Sequence, residues 1–117
     1  MADSANATRH SEILIIGSGP AGWTAAVYAA RAMRDTLVVA GSQPGGQLTI
    51  TTDVENYPGF AEIQGPELME KMQAHALKMG AQLAEDHILS VDLETRPFRA
   101  VGDSGTVYSA DTVIIST

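Results

Sequence analysis

The chain contains no cysteine. That excludes a disulfide framework, a cysteine nucleophile and any dithiol redox chemistry carried by these residues. Positive charge is scarce. Seven Lys plus Arg stand against fourteen Asp plus Glu, for a net charge of −7. No basic patch exists to neutralise phosphates, so the expectation is no nucleic-acid partner. No stretch approaches the roughly 18 apolar residues of a membrane span, so no membrane partner is expected either. The first residues, Met1 to Thr8, are small and polar, and lack the basic region and apolar run of a signal peptide. Residues 1–10 read as a flexible, solvated tail. The three histidines, His10, His75 and His87, show no metal-ligand spacing and read as surface or structural residues.

What is present fits one domain over residues 11–117. A chain of this size buries roughly 65% of its unfolded surface, enough for a core. Ile13-Leu14-Ile15-Ile16 is a β-branched apolar run ended by Gly17, and it predicts a strand covered on both faces. Pro20 suits the first turn of a helix over 20–33. Ala21, Ala25, Ala29 and Ala32 recur at helical spacing and predict a smooth face lying on a sheet. Leu37-Val38-Val39-Ala40 predicts a second buried strand, which completes a βαβ unit.

The stretch 41–58 is rich in Gly and Pro and long for a connection, which marks it as a candidate site loop. A helix over 66–79 follows, with Leu68, Met72, Ala76 and Met79 as its apolar stripe and Gly80 as its stop. Strands at 87–93, 97–101 and 106–110 predict an antiparallel meander. A third buried-type strand, 112–116, is expected in one sheet with the first two. The predicted fold class is α/β: a Rossmann-like parallel sheet with a small antiparallel β-meander. A buried strand with no turn or helix after it reads as a truncated domain.

Gly17-Ser18-Gly19-Pro20-Ala21-Gly22 is a G-x-G-x-x-G. Alone the pattern is weak, but here it follows a buried strand and opens a helix. Gly17 makes the tight turn, Gly19 lets a pyrophosphate approach the backbone, and Gly22 allows close helix–strand packing. The anion then faces the helix N-terminus. Many such folds carry a carboxylate after the second strand to hold a ribose. This chain has Ala40, Gly41 and Ser42 there, which weighs against an NAD dehydrogenase.

With Gly45-Gly46-Gln47-Leu48-Thr49 and Val54-Glu55-Asn56-Tyr57-Pro58-Gly59-Phe60, the chain resembles the bacterial thioredoxin reductases of the pyridine-nucleotide disulfide oxidoreductase superfamily. The glycine fingerprint, residues 25–32, Gly65-Pro66 and Arg96-Pro97-Phe98 extend the resemblance over most of residues 11–117. It implies an FAD domain interrupted by an NADPH domain, with the redox Cys-x-x-Cys in the latter. It identifies this chain as the first segment of the FAD domain of an oxidoreductase that passes electrons from NADPH through FAD and a dithiol to thioredoxin. The segment itself is expected to be inactive. The family ends this segment in an Ala-Thr-Gly turn. Here Ser116 replaces the Ala.

The resemblance assigns Gly17, Ser18, Gly19, Pro20 and Ala21 to the FAD pyrophosphate. It assigns Gly41, Gly46, Gln47 and Leu48 to the ribityl and flavin region, Asn56 to the isoalloxazine edge and the Ile88 backbone to adenine. It also implies a cytoplasmic homodimer. No catalytic residue and no metal ligand is expected in this segment. Glu55 reads as a structural or solvent-facing carboxylate, and Trp23 and Tyr28 as packing residues of the first helix. Two alternatives remain at this point. One is a related flavoprotein with another acceptor, such as a ferredoxin–NADP reductase or a peroxidase-linked disulfide reductase. The other is a non-catalytic dinucleotide-binding module.

Overall fold

The computed structural model describes residues 7–50 and 52–117. Strand β1 (Thr8–Ile16) leads through the glycine turn into helix α1 (Pro20–Arg31), which returns to β2 (Thr36–Val39). A 3-10 turn (Gly46–Ile50) precedes the short strands β3 (Asp53–Val54) and β4 (Ile63–Gln64), which pair with each other. Helix α2 (Gly65–Met79) leads to β5 (Gln82–Ala84), β6 (Ile88–Asp92), β7 (Phe98–Gly102) and β8 (Val107–Ile115). The main sheet has the order β5-β2-β1-β8-β7-β6. β5, β2, β1 and β8 run parallel, and β8-β7-β6 is the antiparallel meander.

The meander is therefore an extension of the parallel sheet. The strands expected at 106–110 and 112–116 are one nine-residue strand. It pairs with β1 along its whole length and with β7 through its first half. The tail expected over 1–10 does not hold for Thr8–His10, because β1 already begins at Thr8 and pairs there with Val107. The expectation for 1–6 lies outside the described residues.

β5 and β6 occupy opposite ends of the strand order, yet only three residues, 85–87, join them. Flat, six strands would put the edges about 24 Å apart. The connector spans at most about 14 Å. The sheet must curl, and the meander folds back over one face. That face buries Leu14, Ile16, Leu37 and Val39 against Ala100, Tyr108 and Ala110. The opposite face carries Ile15 and Val38 under α1 and α2, with Trp23, Leu68, Met69 and Met72 filling the layer.

Three details of α1 differ from the sequence expectation. Its buried face is Gly22, Trp23, Ala26 and Ala30, while Ala21 is exposed. The helix is rotated so that Gly22 meets the β1 turn, where a side chain would not fit. Tyr28 is 75% exposed, not packed. The helix also ends at Arg31, because Met33 adopts a left-handed conformation (φ 65°) and its N–H turns back to Ala30. Gly80 closes α2 as expected, at φ 116° with its N–H on the Leu77 carbonyl.

Candidate functional site

The C-terminal ends of β1, β2 and β8 point at the N-terminus of α1, the usual ligand crevice of an open α/β sheet. A cavity of about 580 Å³ opens there, within the range of small-molecule sites. It is lined by residues 16–21, 39–43, 46–48, His87, Ile88, Ser116 and Thr117. Ten of the eleven residues picked out from sequence line this one cavity. These are Gly17, Ser18, Gly19, Pro20, Ala21, Gly41, Gly46, Gln47, Leu48 and Ile88. Asn56 does not. It lies exposed on the connection between β3 and β4.

The three fingerprint glycines have three different reasons to lack a side chain. Gly17 sits at φ +112°, and a Cβ would lie 2.5 Å from the Ser116 carbonyl oxygen. A Cβ on Gly22 would overlap the Gly17 carbonyl oxygen and come within 2.9 Å of Ser116 Oγ. Gly19 is unlike both. Its backbone is extended (φ −79°, ψ −170°). Its nearest neighbours would be the Gly45 oxygen at 3.8 Å and Gly46 Cα at 3.9 Å. The protein itself has room for a side chain at Gly19, so the fold does not require this glycine. The cavity space above it is what a side chain would consume.

Hydrogen bonds hold the walls. Ser18 is buried, and its hydroxyl donates to the Ala40 carbonyl (2.8 Å) and accepts from the Gly45 N–H (3.2 Å). Its side chain is thus committed to positioning the loop. Gly17 N–H donates to the Val39 carbonyl (3.0 Å). Ser116 Oγ donates to the carbonyls of Ile16 (3.1 Å) and Gly17 (3.2 Å), beneath the turn. No side chain caps α1, which leaves its first-turn N–H groups and the positive end of its dipole to the cavity. The lining contains no carboxylate, ammonium or guanidinium side chain. In a chain of net charge −7, that keeps acidic side chains away from an anion. The donor set suits a phosphate held by backbone.

His87, which the sequence reads as a surface or structural residue, is exposed and also contributes to the wall, a role its sequence context does not signal. Nor does the sequence signal its neighbour Asp86. The Asp86 carboxylate accepts from the N–H groups of His87 (2.8 Å) and Ser104 (3.1 Å), from Ser104 Oγ (2.6 Å) and from the Tyr108 hydroxyl (2.7 Å). No local signal marks it, because two of its donors lie on the β7–β8 turn and one on β8. Burial alone would raise its pKa. The hydrogen bonds from Ser104, Tyr108 and His87 outweigh burial and hold it down to about 2, from an ordinary 3.8. Burial, reinforced by the bond to Asp86, pushes the Tyr108 phenol up to about 12.

Both shifts make stability depend on pH. The depressed Asp86 contributes fully above about pH 4, and its contribution disappears as the pH falls towards 2. The raised Tyr108 contributes fully below about pH 10, and its contribution is lost as the pH rises to 12. Thermal melts of the chain and of Asp86→Asn should converge between pH 4 and 2. A gap that stays constant over that interval would contradict the assignment.

Among the described residues no helix is long and apolar enough to cross a membrane, and no group of His, Cys, Asp and Glu could hold a metal. Residues 11–117 match the family described as pyridine nucleotide-disulphide oxidoreductase. The chain is 58% identical over 110 residues to a thioredoxin reductase of Vibrio cholerae, covering 93% of this chain and 34% of that protein. It is 54% identical over 111 residues to one from Escherichia coli O157:H7, covering 94% and 34%. Among solved structures, a thioredoxin reductase from Giardia duodenalis superposes with a TM-score of 0.89 at 44% identity. That match covers 93% of this chain and 36% of the other. The chain spans about a third of the length of the curated relatives it matches.

Proposed function

The chain belongs to the pyridine nucleotide-disulphide oxidoreductase family, and from that premise we propose that residues 11–117 are the first segment of the FAD-binding domain of a thioredoxin reductase. The observation that carries the FAD site is Gly19. It needs no glycine for its own backbone or for packing, yet it borders the cavity at an uncapped helix N-terminus. A pyrophosphate approaching the backbone there accounts for it.

In this reading Gly17, Ser18, Gly19, Pro20 and Ala21 form the turn around the FAD pyrophosphate, which the free backbone N–H groups of that turn hold, and Ser18 acts by fixing the loop. Gly41, Gly46, Gln47 and Leu48 line the ribityl and flavin side. Ile88 borders the adenine. Asn56 lies outside the cavity lining. Bound in this cavity, FAD would supply two-electron redox chemistry, which a chain without thiols does not carry itself. The protein's share is to bind, orient and exclude water.

The reductase activity belongs to a longer polypeptide in this proposal, because the relatives are about three times as long. That polypeptide would add the NADPH site, a Cys-x-x-Cys and contact with thioredoxin, and would work as a cytoplasmic homodimer. The test has two parts. The chain of 117 residues should bind FAD but consume NADPH no faster than free FAD does, with thioredoxin or a small disulfide as acceptor. The gene should read through the codon after Thr117 into a segment encoding Cys-x-x-Cys. Turnover by the chain alone would contradict the proposal. A read-through without the cysteine pair would favour a flavoprotein with another acceptor, such as a ferredoxin–NADP reductase.

A further inference from the structure

We propose that Asp86 is a positioning residue for the adenosine end of the cavity, clasping the β5–β6 connector so that His87 and Ile88 form a fixed wall. The inference rests on the FAD reading above and deepens it.

The connector is three residues long and closes the curl of the sheet. A segment that short between two sheet edges has few backbone partners of its own. Asp86 supplies them in two directions. Its carbonyl accepts the Gly41 N–H at 2.9 Å, which ties the connector to the loop after β2. Its carboxylate gathers the four donors from His87, Ser104 and Tyr108, which tie it to the meander. The His87 carbonyl completes the clasp by accepting the Asp103 N–H at 2.8 Å.

The surroundings are shaped to this carboxylate. A Cβ on Gly102 would overlap the Asp86 carboxylate and lie 3.0 Å from the Tyr108 ring. Gly102 is a β7 residue, pairing with Ile88, outside the left-handed region, so its lack of a side chain is explained by the room Asp86 takes. Asp86 does not line the main cavity; its neighbours His87, Ile88 and Gly41 do. It therefore acts through them. The pyrophosphate turn and the 46–48 segment lie on other elements with their own hydrogen bonds through Ser18. Loss of the clasp should therefore be felt at one end of a dinucleotide and not along all of it.

The test compares ligands that share different halves. FAD, ADP and FMN are titrated into the chain and into Asp86→Ala, with circular dichroism and thermal melts as controls for folding. Asp86→Ala should weaken FAD and ADP by about tenfold each and leave FMN within about twofold. Tyr108→Phe keeps the ring packing and removes one donor. It should move FAD and ADP in the same direction by about threefold, and it carries the test should Asp86→Ala fail to fold. Equal losses for all three ligands, or no loss for FAD and ADP, would overturn the proposal while the FAD site stands. A wild-type protein extended to the length of its relatives that does not bind FAD would overturn the FAD reading itself, and this inference with it.

Discussion

Gly19→Val is expected to remove most FAD binding while leaving the fold intact. Gly19 is extended at φ −79°, a conformation that a β-branched residue adopts readily. The first added carbon would sit in ordinary van der Waals contact, 3.8 Å from the Gly45 oxygen. The two methyl groups beyond it would enter the cavity where the pyrophosphate is proposed to lie. Overpacking of that kind costs about 1–3 kcal/mol, and lost phosphate contacts add to it. The affinity should fall by about 10- to 100-fold or more. Flavin fluorescence during titration measures it, and a melting temperature within a few degrees of wild type would separate binding from folding. A full complement of bound FAD in the variant would show that this turn does not hold the phosphates.

Gly22→Ala should do the opposite, damaging the fold first. One residue type and three positions separate it from Gly19, but here the new carbon meets backbone. It would overlap the Gly17 carbonyl oxygen and press on Ser116 Oγ at 2.9 Å. Neither a carbonyl held in a tight turn nor the end of β8 can move without shifting α1 off the sheet. A cost of about 3 kcal/mol is expected, and that lowers the midpoint of thermal unfolding by about 10 °C or more. Equal melting curves for Gly22→Ala and wild type would contradict the close packing described here.

The contrast between these glycines shows what sequence could and could not say. The order Ile13–Ile16, glycine, Pro20 spelled out strand, turn and helix, because each signal is local. The face of α1 is not legible, because four alanines at helical spacing look like the packing stripe while the buried face is Gly22, Trp23, Ala26 and Ala30. What sets the rotation is the single contact of Gly22 with the turn. β8 was split in two because Asp111 and Thr112 interrupt its apolar pattern. The strand continues through them because it leaves the meander there and keeps pairing with β1. β5 was missed because Gln82-Leu83-Ala84 is too short to show a period. At the cavity, the residues carried by recognisable motifs came together, whereas Asn56, in an equally recognisable segment, did not. Asp86 and His87 were not legible as part of the site, since their partners stand far away in sequence and only the curl of the sheet unites them.

Hydrogen exchange of the chain with and without saturating FAD tests the central claim most directly. Bound FAD should slow exchange at the amides of Gly19, Ala21 and Gly22, at residue 41 and at residues 46–48, and leave the solvent-facing half of α2 unchanged. Unaltered exchange at Gly19, Ala21 and Gly22 in a chain shown to bind FAD would mean that the ligand sits elsewhere and that the glycine turn is not its phosphate site.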